Sequence, residues 1–434
     1  MENKIVRKCI EFYFLAVAVL MYYFLTEVIN LGLFITYRHM FALVLAASAV
    51  CCFLYKPDVA RGATAVRAAF AYRIPMIVTI FVSLVIWFVG QVDTAVISRG
   101  LSGVCIYNNM LSFSLAGAAF LYIFGEKGIW YNLIAVLAAN LLMILTIIAN
   151  YGIGSYFSEF IALIMSFAAE TGDIIVQAEI HELAFCLGAY IIYMFLKPRK
   201  SVAFWILFGL TMFCFVSAFK RIGIIAIAVA LMLGWFLMFI AKFKKETASG
   251  LSMFLAIMLV VILIVYIALI KSGAFSLLEQ AGIDTSGRVE IYNAVDKFYE
   301  FSPDFIGNGI GFLTYNLSND SSIGVASVHN DFLQYFIDLG FWGYILWLVS
   351  MTITRVRYFG KNGQTEDAII AFSLTVYLFI VSSTDNTMNY PLVVTVLGVI
   401  MIGNRFDEKV RKTEEKMYGS VSETNREKEG LSIL

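Results

Sequence analysis

Long apolar stretches alternate with short polar ones along most of the chain. Apolar windows of roughly 17 to 22 residues are long enough to cross the ~30 Å hydrocarbon core of a bilayer as helices. The pattern predicts about twelve such spans, near residues 10–29, 40–55, 74–90, 104–124, 129–149, 181–196, 201–219, 222–241, 251–270, 341–354, 368–384 and 391–403. We therefore predict an all-α polytopic membrane protein.

Composition supports this prediction and narrows the possible chemistry. The chain is 61% hydrophobic and 14% charged, whereas soluble domains carry about 25% charged residues. The formal net charge is zero, so we predict no nucleic-acid partner. The six cysteines lie in apolar runs without metal-ligand spacing, and the three histidines are too scattered for a metal site. We accordingly expect neither a metal nor a cofactor.

Loop charges predict the orientation, because lysine and arginine concentrate on the cytoplasmic side of membrane proteins. With the N-terminus inside, the outer side keeps few of the 31 basic residues, namely Arg38, Arg99, Lys220, Arg221, Lys271, Arg288 and Lys297. We therefore place the chain in the cytoplasmic (inner) membrane with both termini in the cytoplasm.

Two domains follow from the pattern. Residues 1–403 form the membrane domain, whereas residues 404–434 mix basic and acidic residues and predict a disordered cytoplasmic tail. Residues 271–340 form the longest run without a span, so they predict a large extracytoplasmic loop between spans nine and ten. A second outer segment, 150–180, holds the apolar patch Tyr156–Ala168, which is too short to span and is expected to lie at the interface or to re-enter.

Several cations stand on the predicted outer side. Lys220 and Arg221 separate two spans with almost no loop between them, so they form either a lipid-phosphate anchor or an anion site. Arg288 follows Thr285-Ser286-Gly287 at the start of a predicted helix. A helix N-terminus and a guanidinium both attract phosphate, although an ordinary surface arginine remains the alternative.

The same loop contains two further features that suit a binding site. Gly309 and Gly311 belong to a glycine-rich turn, which permits close backbone approach to a ligand but also suits a plain turn. His329 precedes a predicted helix on which Asn330, Gln334 and Asp338 share a polar face. A histidine at a water-facing rim can accept or deliver a proton, although a lone histidine is more often structural.

The order of these features resembles the O-antigen ligase and polymerase superfamily. The resemblance covers roughly residues 217–403 and is sharpest over 286–343. The ordered set consists of Lys220-Arg221, Ser286-Gly287-Arg288, the turn Gly307–Gly311, His329-Asn330, Gly340 before a span, and Ser382–Asn386 before Pro391.

This resemblance implies a glycosyltransferase C-type fold and a metal-independent enzyme at the outer face of the membrane. Such enzymes transfer a glycan from an undecaprenyl-pyrophosphate carrier to an acceptor sugar. By position in the motifs, the resemblance implies that the catalytic residues are Arg221, Arg288 and His329. The substrate-binding residues that we expect are Lys220, Asn330, Gly309 and Gly311. The family usually has serine where this chain has Lys220, which leaves the role of Lys220 open.

The expected partners are the carrier-linked oligosaccharide, membrane lipids, and a flippase and a chain-length regulator of the same pathway. We favour a polymerase of capsule, exopolysaccharide or O-antigen repeats. Ligation of the glycan to a lipid core or a protein is the alternative. A flippase of lipid-linked sugar is a third hypothesis, but the sequence has neither an internal repeat nor a matching pair of broken helices.

The charge asymmetry makes a direct prediction about topology. Reporters fused after Lys245 and after Lys361 should be cytoplasmic, whereas a reporter near Asp320 should be external. Alkaline phosphatase and fluorescent-protein fusions measure this. A cytoplasmic reporter at Asp320 would contradict an outer-face mechanism.

Overall fold

A computed structural model describes residues 2–25, 37–55, 57–90, 114–166, 181–218, 220–282, 287–319, 327–360 and 365–417, together with 94, 97 and 98. Within these ranges the backbone forms helices and turns and contains no β-strand. The all-helical prediction is therefore confirmed for the described part of the chain.

The helices in chain order are α1 (Glu2–Leu25), α2 (Tyr37–Tyr55), α3 (Val59–Val89), α4 (114–124), α5 (Gly128–Tyr151), α6 (Ile153–Ser166), α7 (His181–Leu196), α8 (Val202–Ser217) and α9 (Arg221–Phe243). They continue with α10 (Lys245–Lys271), α11 (Ser276–Gln280), α12 (Arg288–Val295), α13 (Phe312–Asn319), α14 (Asp331–Val349), α15 (Arg355–Phe359), α16 (Thr365–Ser382), α17 (Pro391–Gly403) and α18 (406–417). A π-helical segment, Ser350–Thr354, joins α14 to α15.

Six helical stretches in the described residues are long and apolar enough to cross a membrane, and four shorter apolar helices accompany them. The six are Val59–Val89, Ser114–Tyr151, Arg221–Phe243, Lys245–Lys271, Asp331–Phe359 and Thr365–Ser382. The protein is thus a polytopic membrane protein, whereas the count of twelve spans stays a prediction. Parts of the predicted span 104–124 lie outside the described residues.

The chain divides into two compact units. The first unit comprises residues 1–72, 112–183 and 395–434. Its core is aromatic: the Phe14 ring of α1 lies edge-on to Phe120 of α4, with ring centroids 4.8 Å apart. Asn132 of α5 donates a hydrogen bond to the Tyr22 hydroxyl of α1, which satisfies a polar group buried among apolar side chains.

The amphipathic helix α6 contains residues 156–166 of the apolar patch predicted in the first outer segment. Gly152, with φ 87°, ends α5. Tyr156 faces inward and is buried, whereas Ile153, Phe157 and Ile161 are exposed at intervals of four residues. This exposed apolar stripe suits a helix at a membrane interface, and its interfacial placement stays a prediction.

The predicted disordered tail differs from the structure in its first part. Residues 406–417 form α18, in which Phe406 and Val410, one helical turn apart, are buried. The Thr413 hydroxyl lies 3.0 Å from the Thr64 hydroxyl of α3. Two apolar side chains at helical spacing therefore anchor a segment whose overall composition is that of a solvated tail. Residues 418–434 lie outside the described part of the chain.

The second unit, residues 73–111 and 184–394, is built on close packing of α9 against α16. Several buried residues of α9 are small, namely Gly223, Ala226, Ala230 and Gly234. A β-carbon on Gly234 would lie 2.6 Å from the Ser373 hydroxyl oxygen. Small residues let helix backbones approach closely, which is the main route to helix association in lipid.

Helix α14 changes direction at Gly340, which has φ 71° and interrupts the helical backbone. The predicted span 341–354 begins at this break, so residues 331–339 form an additional helical segment in front of it. A β-carbon on Gly340 would overlap the backbone of Ile306 and Gly307. The break therefore exists because the glycine-rich turn 305–311 packs directly on the α14 backbone.

The tight contact at Gly234 predicts that Gly234→Val destabilises the protein by about 1–3 kcal/mol, because the added methyl groups cannot fit against Ser373 and Leu196. The matched control is Gly209→Val on α8, since nothing lies within 4 Å of a β-carbon there. Thermal unfolding in detergent measures both. Equal shifts in the two variants would contradict this packing.

Candidate active site

The candidate site lies in the second unit, where the beginnings of α9, α12 and α14 meet the 383–390 turn between α16 and α17. The 383–390 turn contains Asp385, a carboxylate that is only 12% exposed. Three segments far apart in the sequence bring polar side chains to this turn: Lys220 before α9, Arg288 at the start of α12, and His329 before α14.

His329 occupies an unusual backbone conformation. Its φ is 48°, in the left-handed region that residues other than glycine adopt rarely. Its neighbours Val328 and Asn330 are buried, whereas the His329 side chain is 50% exposed. The left-handed turn therefore projects an imidazole outward from an otherwise buried stretch, and such rare backbone conformations cluster at functional sites.

Asp385 is the carboxylate that the other polar groups of the site contact or approach. The Tyr390 hydroxyl and the Asn386 backbone N–H each donate to its Oδ1 over 2.8 Å. The His329 Nδ1 lies 4.0 Å from the same oxygen, and the Lys220 Nζ lies 4.0 Å from Oδ2. These last two distances are too long for direct hydrogen bonds but short enough for strong charge interaction.

Burial alone would raise the pKa of the Asp385 carboxyl, but its contacts with His329, Lys220, Tyr390 and the Asn386 N–H outweigh burial and lower the pKa to about 2. Asp385 is therefore ionised throughout the physiological pH range. A fixed negative charge therefore lies 4.0 Å from the His329 Nδ1.

Lys220 joins the site through both its charge and its position. Its ammonium lies 5.9 Å from the centre of the Phe185 ring, which stacks on Tyr390 at 6.4 Å. Lys220 precedes the first residue of α9, so its neighbour Arg221 stands at the helix N-terminus, where it is exposed. The two neighbours therefore have different surroundings. The Lys220 ammonium lies beside the Asp385 carboxylate, whereas Arg221 is exposed.

Arg288 begins α12 as the sequence predicts. Gly287, with φ 72°, precedes the helix, while Thr285 and Ser286 lie outside the described residues. The Arg288 Nη2 donates to the Thr384 carbonyl over 3.0 Å. Arg288 is therefore bound to the residue that precedes Asp385, which places its guanidinium at the edge of the site.

Asn330 is fully buried, and its side-chain amide forms hydrogen bonds within the protein. Its Oδ1 accepts from the Leu333 N–H and caps α14. Its Nδ2 donates to the hydroxyls of Tyr266 and Tyr292 over 2.8 and 2.9 Å. The substrate-binding role predicted for Asn330 stays a prediction, whereas its contacts are those of a residue that holds its neighbour His329.

Gly309 and Gly311 are also buried. The Gly309 N–H donates to the Asp338 carbonyl over 2.7 Å, and the Gly311 N–H lies 3.4 Å from the Asp338 carboxylate. A β-carbon on Gly309 would overlap the Trp87 ring. These glycines serve close packing of the turn on α14 and α3, and their substrate-binding role stays a prediction. Asp338 is correspondingly buried, not part of a water-facing polar face.

The sequence pattern includes Asp385 in the motif Ser382–Asn386 but assigns it no role, and it does not single out Tyr390. The available signal is a single carboxylate in an otherwise apolar final pair of spans, since charges near membrane helices usually mark a site. That signal does not identify a partner, because Lys220 and His329 are distant in sequence. Among the described residues, no group of three histidine, cysteine or acidic side chains is arranged to hold a metal.

The helices and the site together define a polytopic membrane protein with a cluster of cations around a histidine–carboxylate pair. A family model described as O-antigen ligase matches residues 202–348. This match confirms the resemblance to the O-antigen ligase and polymerase superfamily. The matched segment contains Arg221, Arg288 and His329, whereas Asp385 follows it. A comparison with curated proteins finds no match.

The lowered pKa of Asp385 predicts how stability depends on pH. A carboxyl whose pKa falls from 3.8 to about 2 on folding stabilises the native state above pH ~4. The contribution, on the order of 2 kcal/mol, is lost as the pH falls towards 2. The melting temperature of Asp385→Asn should therefore lie below that of wild type by a steady difference from pH 8 to pH 5, and the two should approach each other as the pH falls from ~4 to ~2. A difference that persists at the acid end would contradict the charge interaction.

Proposed function

We propose that the protein is a polysaccharide polymerase, which transfers a glycan from undecaprenyl pyrophosphate to a lipid-linked repeat unit at the outer face of the membrane. The observation that carries this proposal is the position of the Asp385 carboxylate, 4.0 Å from both His329 Nδ1 and Lys220 Nζ. The family match supports it, because it indicates a function of the O-antigen ligase or polymerase type.

The cations suit a pyrophosphate leaving group. When the bond between the sugar and the carrier breaks, its electron pair passes to the pyrophosphate, and negative charge grows there. Arg221 and Arg288 present guanidinium groups that bind phosphate oxygens through paired hydrogen bonds. The Thr384 carbonyl holds the Arg288 guanidinium in place, which preorganises it for this charge, whereas the exposed Arg221 would bind the phosphate as the substrate arrives.

His329 acts as the general base on the acceptor. Because Nδ1 is the ring nitrogen near Asp385, Nε2 remains for the acceptor hydroxyl. The hydroxyl oxygen attacks the anomeric carbon, its proton passes to Nε2, and the carrier pyrophosphate leaves. Asp385 stabilises the imidazolium that forms, and its own hydrogen bonds to Tyr390 and Asn386 hold it in place.

Ligation to a lipid core or a protein uses the same chemistry with another acceptor. The description of the matching family as O-antigen ligase favours it as the second candidate. A flippase needs neither a histidine base nor a paired carboxylate. Capsule, exopolysaccharide and O-antigen are the products that a polymerase of this kind would make, with a flippase and a chain-length regulator of the pathway as its partners.

The test is chain extension in vitro by purified protein with synthetic undecaprenyl-pyrophosphate repeat units. We expect His329→Ala to lower the rate by about 10²–10⁴-fold, because it removes the general base. Arg288→Lys and Arg221→Lys should each lose most activity, because lysine lacks the bidentate fork. The matched control is Arg357→Lys, at an exposed position on α15, which should extend chains like wild type.

Ladders of wild-type length from His329→Ala at equal protein level would remove His329 from the mechanism. Transfer by wild type onto a lipid-core or protein acceptor, without longer carrier-linked chains, would assign the ligase reaction. Movement of the repeat unit across the membrane without any new glycosidic bond would assign the flippase.

A further inference from the structure

His329 has a left-handed backbone conformation, with φ 48°. A left-handed backbone in a residue other than glycine costs roughly 1–2 kcal/mol, so its surroundings must fix it. The His329 side chain is half exposed and lies 4.0 Å from Asp385, too far for a direct hydrogen bond. The restraint must therefore act through the flanking backbone, which is buried on both sides.

The residue that follows, Asn330, is the most constrained polar group beside the site. Its side chain is 0% exposed, its carbonyl oxygen caps α14, and both hydrogens of its amide are donated. The two acceptors are the hydroxyls of Tyr266 on α10 and Tyr292 on α12. An amide with all of these bonds formed cannot rotate without leaving buried polar groups unsatisfied, which costs about 1–3 kcal/mol for each group.

The same two tyrosines reach the other parts of the site. The Tyr266 hydroxyl donates to the Ser383 carbonyl over 3.2 Å, two residues before Asp385. Tyr292 lies one helical turn after Arg288 on α12, and Arg288 donates to the Thr384 carbonyl. The amide of Asn330 thus connects the three segments that carry His329, Asp385 and Arg288.

The surroundings of the tyrosines are rigid and aromatic. Tyr266 lies edge-on to Phe275 and Phe332, with ring centroids 5.6 and 6.2 Å apart. Phe275 in turn lies edge-on to Tyr292 at 5.7 Å. These ring contacts hold the two tyrosine rings, while the hydrogen bonds to Asn330 hold their hydroxyls.

We propose that Tyr266 and Tyr292 are positioning residues, which hold Asn330 and thereby keep His329 turned towards Asp385. Neither tyrosine is a catalytic residue. This inference rests on the proposed function for its effect on rate, but the placement of the imidazole can be measured separately.

The experiment compares Tyr266→Phe, Tyr292→Phe and the double variant with wild type. The first measurement is the rate at which diethylpyrocarbonate modifies His329, followed by mass spectrometry with His39 and His181 as internal references. We expect a several-fold change in each single variant and a larger one in the double variant, because the imidazole is no longer held beside Asp385. This measurement does not depend on whether the protein polymerises glycans.

The second measurement is chain extension. The kcat should fall by between about 10-fold and 100-fold, while the KM for the lipid-linked donor stays within about twofold, because the arginines that meet the pyrophosphate are unchanged. The matched control is Tyr344→Phe. Its buried hydroxyl donates to the Leu263 carbonyl across the same pair of helices, α10 and α14.

Tyr344→Phe should leave both the His329 modification rate and the kcat as in wild type. Modification of His329 at the wild-type rate in all tyrosine variants would overturn the proposal. So would an equal change in Tyr344→Phe, because that result would assign the tyrosines a general structural role. If the double variant fails to fold, the two single variants decide the matter. Altered His329 reactivity in a protein that forms no glycosidic bond would uphold the positioning role and refute the proposed function.

Discussion

The charge interaction around Asp385 is the constraint on which the candidate site depends. A carboxylate with 12% exposure would be expensive to keep ionised without partners. Here two hydrogen-bond donors hold Oδ1, and a lysine and a histidine approach from opposite segments of the chain. Asp385 can therefore remain buried, because these groups balance its charge locally.

That balance requires the surrounding backbone to be rigid, and several contacts supply rigidity. Asp331 accepts a hydrogen bond from the Met388 N–H over 2.8 Å, and the Ser327 hydroxyl bonds to the Asn386 amide. The residues on both sides of His329 are thus bound to the 383–390 turn. Two such contacts keep His329 and Asp385 at a fixed distance, which is the preorganisation that the proposed general-base role of His329 requires.

The glycine-rich turn illustrates how a motif that resembles a ligand loop can serve packing. Gly307, Gly309 and Gly311 all have φ near 85°, a conformation in which glycine carries no penalty. The Gly309 N–H donates to the Asp338 carbonyl, and the Gly311 N–H lies 3.4 Å from the Asp338 carboxylate. β-Carbons on Gly307 and Gly309 would overlap the α14 backbone and the Trp87 ring of α3. The contacts of this turn are therefore packing contacts with α14 and α3.

The sequence by itself indicated the helical membrane class, the resemblance to the O-antigen ligase and polymerase superfamily, and a helix that begins near Arg288. The membrane class follows from apolar run length, which is a local property, whereas the site roles of Lys220, Arg221, Arg288 and His329 stay predictions. Only the tertiary structure shows that Asp385 lies beside Lys220 and His329. It also shows that Asn330 is buried and hydrogen-bonded to two tyrosines, and that residues 406–417 form a packed helix. The reason is physical: whether a polar group is paired, buried or free depends on which distant segment packs against it, and neither hydropathy nor spacing encodes that choice.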